Sequence, residues 1–129
     1  VAVLMALVAM SFSGGCSSMS RLDLSTAESQ MKVGAQAARL GLWREAMFRF
    51  NRALEIEPGN AQAYNNLAVA YESNGEFDKA REAYLNALRI NRGDPYIQKN
   101  YSRFTEFYQR HEKAETKKPA GEASEEKQP

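Results

Sequence analysis

Between residues 26 and 114 the apolar positions recur at helical spacing in five blocks, and turn residues separate one block from the next. The first block covers residues 26–40. Ala27, Met31, Gly34 and Ala38 form one stripe, and Val33, Ala37 and Leu40 form a second beside it. Ser25 followed three residues later by Glu28 predicts a capping box at its start. The second block, 43–57, places Met47, Phe50, Ala53 and Leu54 on one face. Gly41 stands between the two, where a helix end needs a residue that tolerates the left-handed region. Pro58-Gly59 stops the second helix and turns the chain. Asn60 caps a third helix over 61–74, Gly75 breaks it, and a fourth follows over 77–90. Asp94-Pro95 is a cap with proline in the first turn, which starts a fifth helix over 95–114. There Ile97, Tyr101, Phe104 and Tyr108 recur at i, i+4, i+7 and i+11 and make a stripe able to cover helices three and four.

The blocks repeat. Shifted by 34 residues, Gly34 falls on Ala68, Gly41 on Gly75, Trp43 on Phe77, Ala46 on Ala80 and Phe50 on Tyr84. Ala53-Leu54 falls on Ala87-Leu88, Ile56 on Ile90, Gly59 on Gly93 and Asn60 on Asp94. A fixed period of this size marks a helical repeat array. Tyr64, Ala68 and Tyr71 in one helix, with Ala80, Tyr84 and Ala87 in the next, resemble the motif of the tetratricopeptide repeat (TPR) family. The resemblance implies an all-α fold: two helix-turn-helix repeats, at about 27–60 and 61–94, plus a C-terminal capping helix at 95–114, a short α-solenoid. Small residues are expected where the two helices of a repeat cross, Gly34 against Ala46 and Ala68 against Ala80, with Phe50 and Tyr84 filling the space between successive units. Gln30 and Ala37 stand where Tyr64 and Tyr71 stand one repeat later, as suits a terminal repeat. The frame fails beyond the stripe of helix five, where His111 would replace Phe77 and Lys118 would replace Tyr84.

The resemblance also implies a function. Members of the family hold a partner's peptide or helix in a concave groove lined by the first helix of each repeat. The matching positions are Glu28, Met31, Ala35 and Ala38 in helix one, and Gln62, Asn65, Asn66, Val69 and Glu72 in helix three. Helix five adds Lys99 and Arg103. Met31 and Ala35 occupy places where one subfamily clamps a carboxylate with lysines and asparagines, so such a clamp is not expected. Asn65 and Asn66 are expected to bond along a partner backbone, with Met31 and Val69 giving adaptable apolar contact. Tyr96 and Phe107 lie off the buried stripe of helix five and form an alternative interface, for a partner or for a second copy in a homodimer.

Charge and composition narrow the classes. Residues 27–94 carry nine Lys/Arg and nine Asp/Glu, so the repeats lack the basic face that a nucleic-acid binder needs. No cluster of Cys, His and carboxylates has metal-ligand spacing, no cofactor motif is present, and the single His111 reads as an exposed helix residue. Asp78 and Glu82 at i, i+4 read as a solvated face rather than a catalytic acid pair. A non-enzymatic interaction module is therefore expected.

The first twelve residues are uncharged and almost wholly apolar, the length of a signal's centre rather than of a membrane span. Ser13-Gly14-Gly15 then leads into Cys16, the only cysteine, an arrangement that resembles the lipobox of bacterial lipoproteins, although Ser13 stands where that family prefers Leu, Val or Ile. The resemblance implies a signal peptide at 1–15, a lipid on Cys16 and a tether at 16–25. It places the protein at the bacterial cell envelope. With Ser17 after the cysteine it favours the outer membrane facing the periplasm, the alternative being a soluble periplasmic or secreted protein. Residues 115–129 mix both charge signs and lack aromatics, the composition of a disordered tail.

Overall fold

The structure, a computed structural model, describes residues 23–116. Five helices follow one another: α1 (Ala27–Arg39), α2 (Trp43–Ile56), α3 (Ala61–Ser73), α4 (Phe77–Ile90) and α5 (Pro95–Glu115). There is no strand among the described residues. Each helix packs on its neighbour in the chain, and α1 also touches α3 as α3 touches α5, which is the stacking of a helical solenoid.

Helix ends form where the sequence supplies caps. The Asn60 side chain accepts from the Ala63 N–H at 2.9 Å, and Asp94 accepts from Tyr96 and Ile97 at 2.8 and 3.2 Å. Gly41 and Gly75 take φ of 71° and 79°, so both intra-repeat turns use the left-handed conformation. One start differs from expectation. Thr26, not Ser25, caps α1: its hydroxyl accepts from the Ser29 N–H at 3.1 Å, while the Ser25 N–H donates to Asp23 at 2.9 Å. Ser29 thus supplies the donor in place of the reciprocal Glu28 contact, because the Asp23 turn draws Ser25 out of the cap position.

The core has two main parts. Ala27, Ala37, Ala46, Phe50, Ala53 and Leu54 of the first repeat join Ala63, Leu67 and Ala70 of the second. Ala68, Ala80, Ala83 and Tyr84 join Phe104 of α5. Phe50 and Tyr84 therefore sit between successive units, as expected. Ala68 and Ala80 are both fully buried in one cluster. Gly34 also meets the ring of Phe50: a Cβ there would lie 2.6 Å from Cε1. The aromatic ring occupies the space that a glycine leaves.

On α5, Ile97 and Phe104 are completely buried and Tyr101 and Tyr108 half-buried, so the predicted stripe covers the end of the array. The Tyr84 ring packs against Tyr101 and Phe104 with centroids 6.0 and 5.2 Å away. The opposite side of α5, with Gln98, Ser102, Glu106 and Gln109, is exposed and polar.

Candidate functional site

The first helices of the successive units, α1, α3 and α5, present neighbouring rows. Met31 is half-buried against the first core cluster, and Val69 is half-buried against the second. Both keep part of their surface exposed.

Asn65 does not serve the expected role. Its side chain is only 4% exposed, its carbonyl accepts from the Asn100 amide at 3.0 Å, and its own amide donates to Asn66 at 3.3 Å. The amide ties α3 to α5, a buried polar pair satisfied inside the protein. Asn66, half-buried, remains at the surface.

Glu72 is likewise engaged. Its carboxylate accepts from the Tyr84 hydroxyl at 2.9 Å, and the Arg103 guanidinium stands 3.9 Å away. Burial pushes the Tyr84 hydroxyl well above its ordinary value, and the Glu72 charge adds to the rise. Three helices meet in this group, a link that spacing alone did not reveal because Tyr84 and Glu72 lie on different helices.

Along α5, Tyr96, Lys99, Arg103 and Phe107 fall at i, i+3, i+7 and i+11, which is one face of a helix. The contacts of Asn100 with Asn65 and of Arg103 with Glu72 set this face beside α3. The groove residues Lys99 and Arg103 and the alternative aromatic pair, taken as competing sites in the sequence, therefore lie on one face of α5. Tyr96 is 73% exposed. Phe107, 38% exposed, rests against Phe77 and His111 with centroids 5.2 and 5.9 Å away. His111, expected to be exposed, is half-buried and packs 5.0 Å from the Phe77 ring. The signal for this cluster was present in Phe77, which begins α4 and lies opposite the end of an antiparallel α5.

Gln30, noted in the sequence only as a departure from the repeat motif, is buried. It donates to the Leu24 carbonyl at 2.7 Å and accepts from Arg49 at 3.4 Å, fastening the entering chain over α1. Cys16 lies outside the described residues, as do most of the leading segment and residues 117–129. Among the described residues no group of three His, Cys, Asp or Glu could hold a metal ion, and no helix is long and apolar enough to cross a membrane.

The model of the family described as Tetratricopeptide repeat matches residues 37–103. The chain belongs to the tetratricopeptide repeat family. This TPR protein is 34% identical over 70 residues to the Photosystem I assembly protein Ycf3 of Synechococcus sp. (strain CC9605), covering 52% of this chain and 40% of that protein. It is 29% identical over 68 residues to an uncharacterized protein of Methanocaldococcus jannaschii, covering 53% of this chain and 79% of the relative. Among solved structures it resembles MamA, with a TM-score of 0.63 and 27% identity, over 74% of this chain and 56% of that one. The chain thus spans less than two thirds of the Synechococcus protein and of MamA. TPR domains mediate protein–protein interaction.

Proposed function

We propose that this TPR protein is an adaptor that holds a protein segment against the face of α1, α3 and α5, and that a lipid on Cys16 tethers it to the bacterial envelope, where it serves an assembly such as a pilus, secretion or wall machine. The observation that carries the binding reading is the α5 row, where Tyr96, Lys99, Arg103 and Phe107 stand exposed on one helix face and Arg103 meets Glu72 of α3. Large exposed aromatics next to cations suit a partner that brings apolar side chains and carboxylates. Asn66 supplies an amide to such a segment, while Asn65 and Glu72 hold the two rows in place.

Capture of envelope partners by the full chain, compared with Val69→Glu, tests the reading. The substitution puts a charge on the face and is expected to weaken capture tenfold or more, about 1.4 kcal/mol. Tyr96→Ala and Phe107→Ala are expected to weaken it as well, since both lie on the same surface. Capture that survives all three changes overturns the assignment. The exposure of Tyr96 also fits a homodimer through α5, and sedimentation across a dilution series separates the two: a size that falls on dilution and becomes monomeric in Tyr96→Ala supports the dimer.

The tether rests on the apolar stretch leading to Cys16. Metabolic palmitate labelling is expected in the membrane fraction and is expected to vanish in Cys16→Ser. Labelling and fractionation unchanged by that substitution would exclude the lipobox reading.

A further inference from the structure

The two repeats end differently. At the end of the first, Leu54 of α2 is buried, and Tyr64 of α3 packs against the cluster that contains it. Shifted by 34 residues, Leu54 falls on Leu88 and Tyr64 on Gln98. The glutamine has no ring to lay over the leucine, and its amide donates instead to the Arg92 carbonyl at 2.6 Å. Leu88 is left half-buried and Leu85 is 48% exposed. An open notch of about 430 Å³ lies among Leu85, Leu88, Arg89, Arg92 and Gln98. The first repeat is polar at the matching places: Asn51 stands for Leu85, and Glu55, paired with Arg52, stands for Arg89. Where a repeat array stops, a polar outer face keeps it soluble; here two leucines and two arginines surround the glutamine. No carboxylate among the described residues forms an ion pair with Arg89 or Arg92. Asp94 is taken up by the α5 cap and by the Gln62 amide, and Glu82 lines a different groove beside Tyr64 and Tyr71.

We propose that this notch binds an acidic segment of a partner protein, which inserts an aromatic side chain over Leu85 and Leu88 and sets flanking carboxylates against Arg89 and Arg92. The first repeat shows what the matching leucine packs with: the ring that α3 supplies there from within is supplied here by the partner. The required charge follows from the rim, because a guanidinium holds a carboxylate through paired hydrogen bonds. An aromatic anchor seated in a pocket concentrates binding energy in a small contact. A helix lying on a membrane buries a projecting apolar face in the lipid, whereas these leucines floor a hollow. The notch is also separate from the α5 row described above. Gln98 stands two positions after Tyr96, which places it on the opposite side of α5 from Tyr96, Lys99, Arg103 and Phe107. A chain that used both surfaces would bridge two partners.

The probe is a short synthetic peptide with one tyrosine set among glutamates and a fluorescein at its end. Its anisotropy is followed on adding the full chain carrying Cys16→Ser, which has no acyl group at that position. Saturable binding is expected, with a Kd below ~1 mM. Replacing the peptide's tyrosine by alanine, or its glutamates by lysines, is expected to weaken binding tenfold or more, as is Arg89→Glu combined with Arg92→Glu in the protein. Gln98→Tyr restores the ring of the first repeat. It is expected to raise the urea midpoint by sealing Leu88 and at the same time to abolish peptide binding, which separates loss of the site from loss of folding. Val69→Glu is expected to leave the affinity unchanged, so failure here is distinguishable from failure of the α5 reading. No saturation up to ~1 mM, binding indifferent to the tyrosine or to the charges, or binding retained in Gln98→Tyr each overturns the proposal. Vesicles of phosphatidylserine that displace the peptide, and that sediment with this chain but not with the double charge reversal, would assign the arginines to a membrane and overturn it too.

Discussion

Gly34 has no room for a side chain. A methyl group there would sit 2.6 and 2.8 Å from two ring carbons of Phe50, whose ring is itself buried and cannot swing away. Alanine normally gains about 0.5–1 kcal/mol over glycine inside a helix. Here overpacking of roughly 1–3 kcal/mol outweighs it, so Gly34→Ala is expected to lower the urea midpoint, and a raised midpoint would mean the ring is free to move. The small residue at this crossing was legible in the 34-residue register, where Gly34 aligns with Ala68. Its neighbour was not, because the direction of the Phe50 ring is set by the residues it meets from the second repeat. The same holds for Asn65: the register put it on the groove side of α3, but its partner Asn100 lies 35 residues away, and only packing brings the two amides together.

At the scale of helices, the boundaries came from local chemistry. Asn60, Asp94-Pro95, Gly41 and Gly75 each act within a turn of the residue that carries the signal, so the sequence announces them. The exception at Thr26 is local too, and turns on the Asp23 side chain, which takes the Ser25 N–H and leaves Thr26 to cap the helix. α5 is held differently from the other helices. It lacks an in-repeat partner and depends on the Ile97 and Phe104 contacts together with the Asn65–Asn100 bond. Asn65→Ala, which removes a buried hydrogen bond, is expected to cost roughly 1–3 kcal/mol. Amide exchange should then accelerate in α5 well before it does in α1, and equal acceleration in both helices would show that the bond does not anchor α5.

For the molecule as a whole, the Glu72–Tyr84–Arg103 group joins α3, α4 and α5, and its protonation is linked to global stability. The hydroxyl of Tyr84 titrates near 10.0 when unfolded and higher in the folded chain, chiefly through burial. The folded state therefore holds that proton more tightly. The stabilisation is complete below pH 10.0 and declines as pH rises from there toward the folded value. Urea midpoints at about pH 9 and about pH 11 are expected to fall further in the native chain than in Tyr84→Phe, because only the native hydroxyl carries this linkage. Equal slopes would place the alkaline transition elsewhere. The same scale decides the binding surface. Asn100 meets Asn65 and Arg103 meets Glu72 only because α5 lies alongside α3, so residues of two helices far apart in the chain come together.

The sequence by itself determined the helices, their caps, the 34-residue period and the family, since each depends on spacing within a few turns or on a repeat compared with itself. Tertiary structure decided what those helices do with their polar groups. Asn65, Glu72, Gln30 and His111 all carry donors, acceptors or rings that could have faced a partner. The fold turned Asn65 and Gln30 inward, set Glu72 under Tyr84 and packed His111 on Phe77. A buried polar side chain must find its partner inside the protein, and that partner is chosen by which helices meet, a matter of three-dimensional packing that no spacing along the chain records.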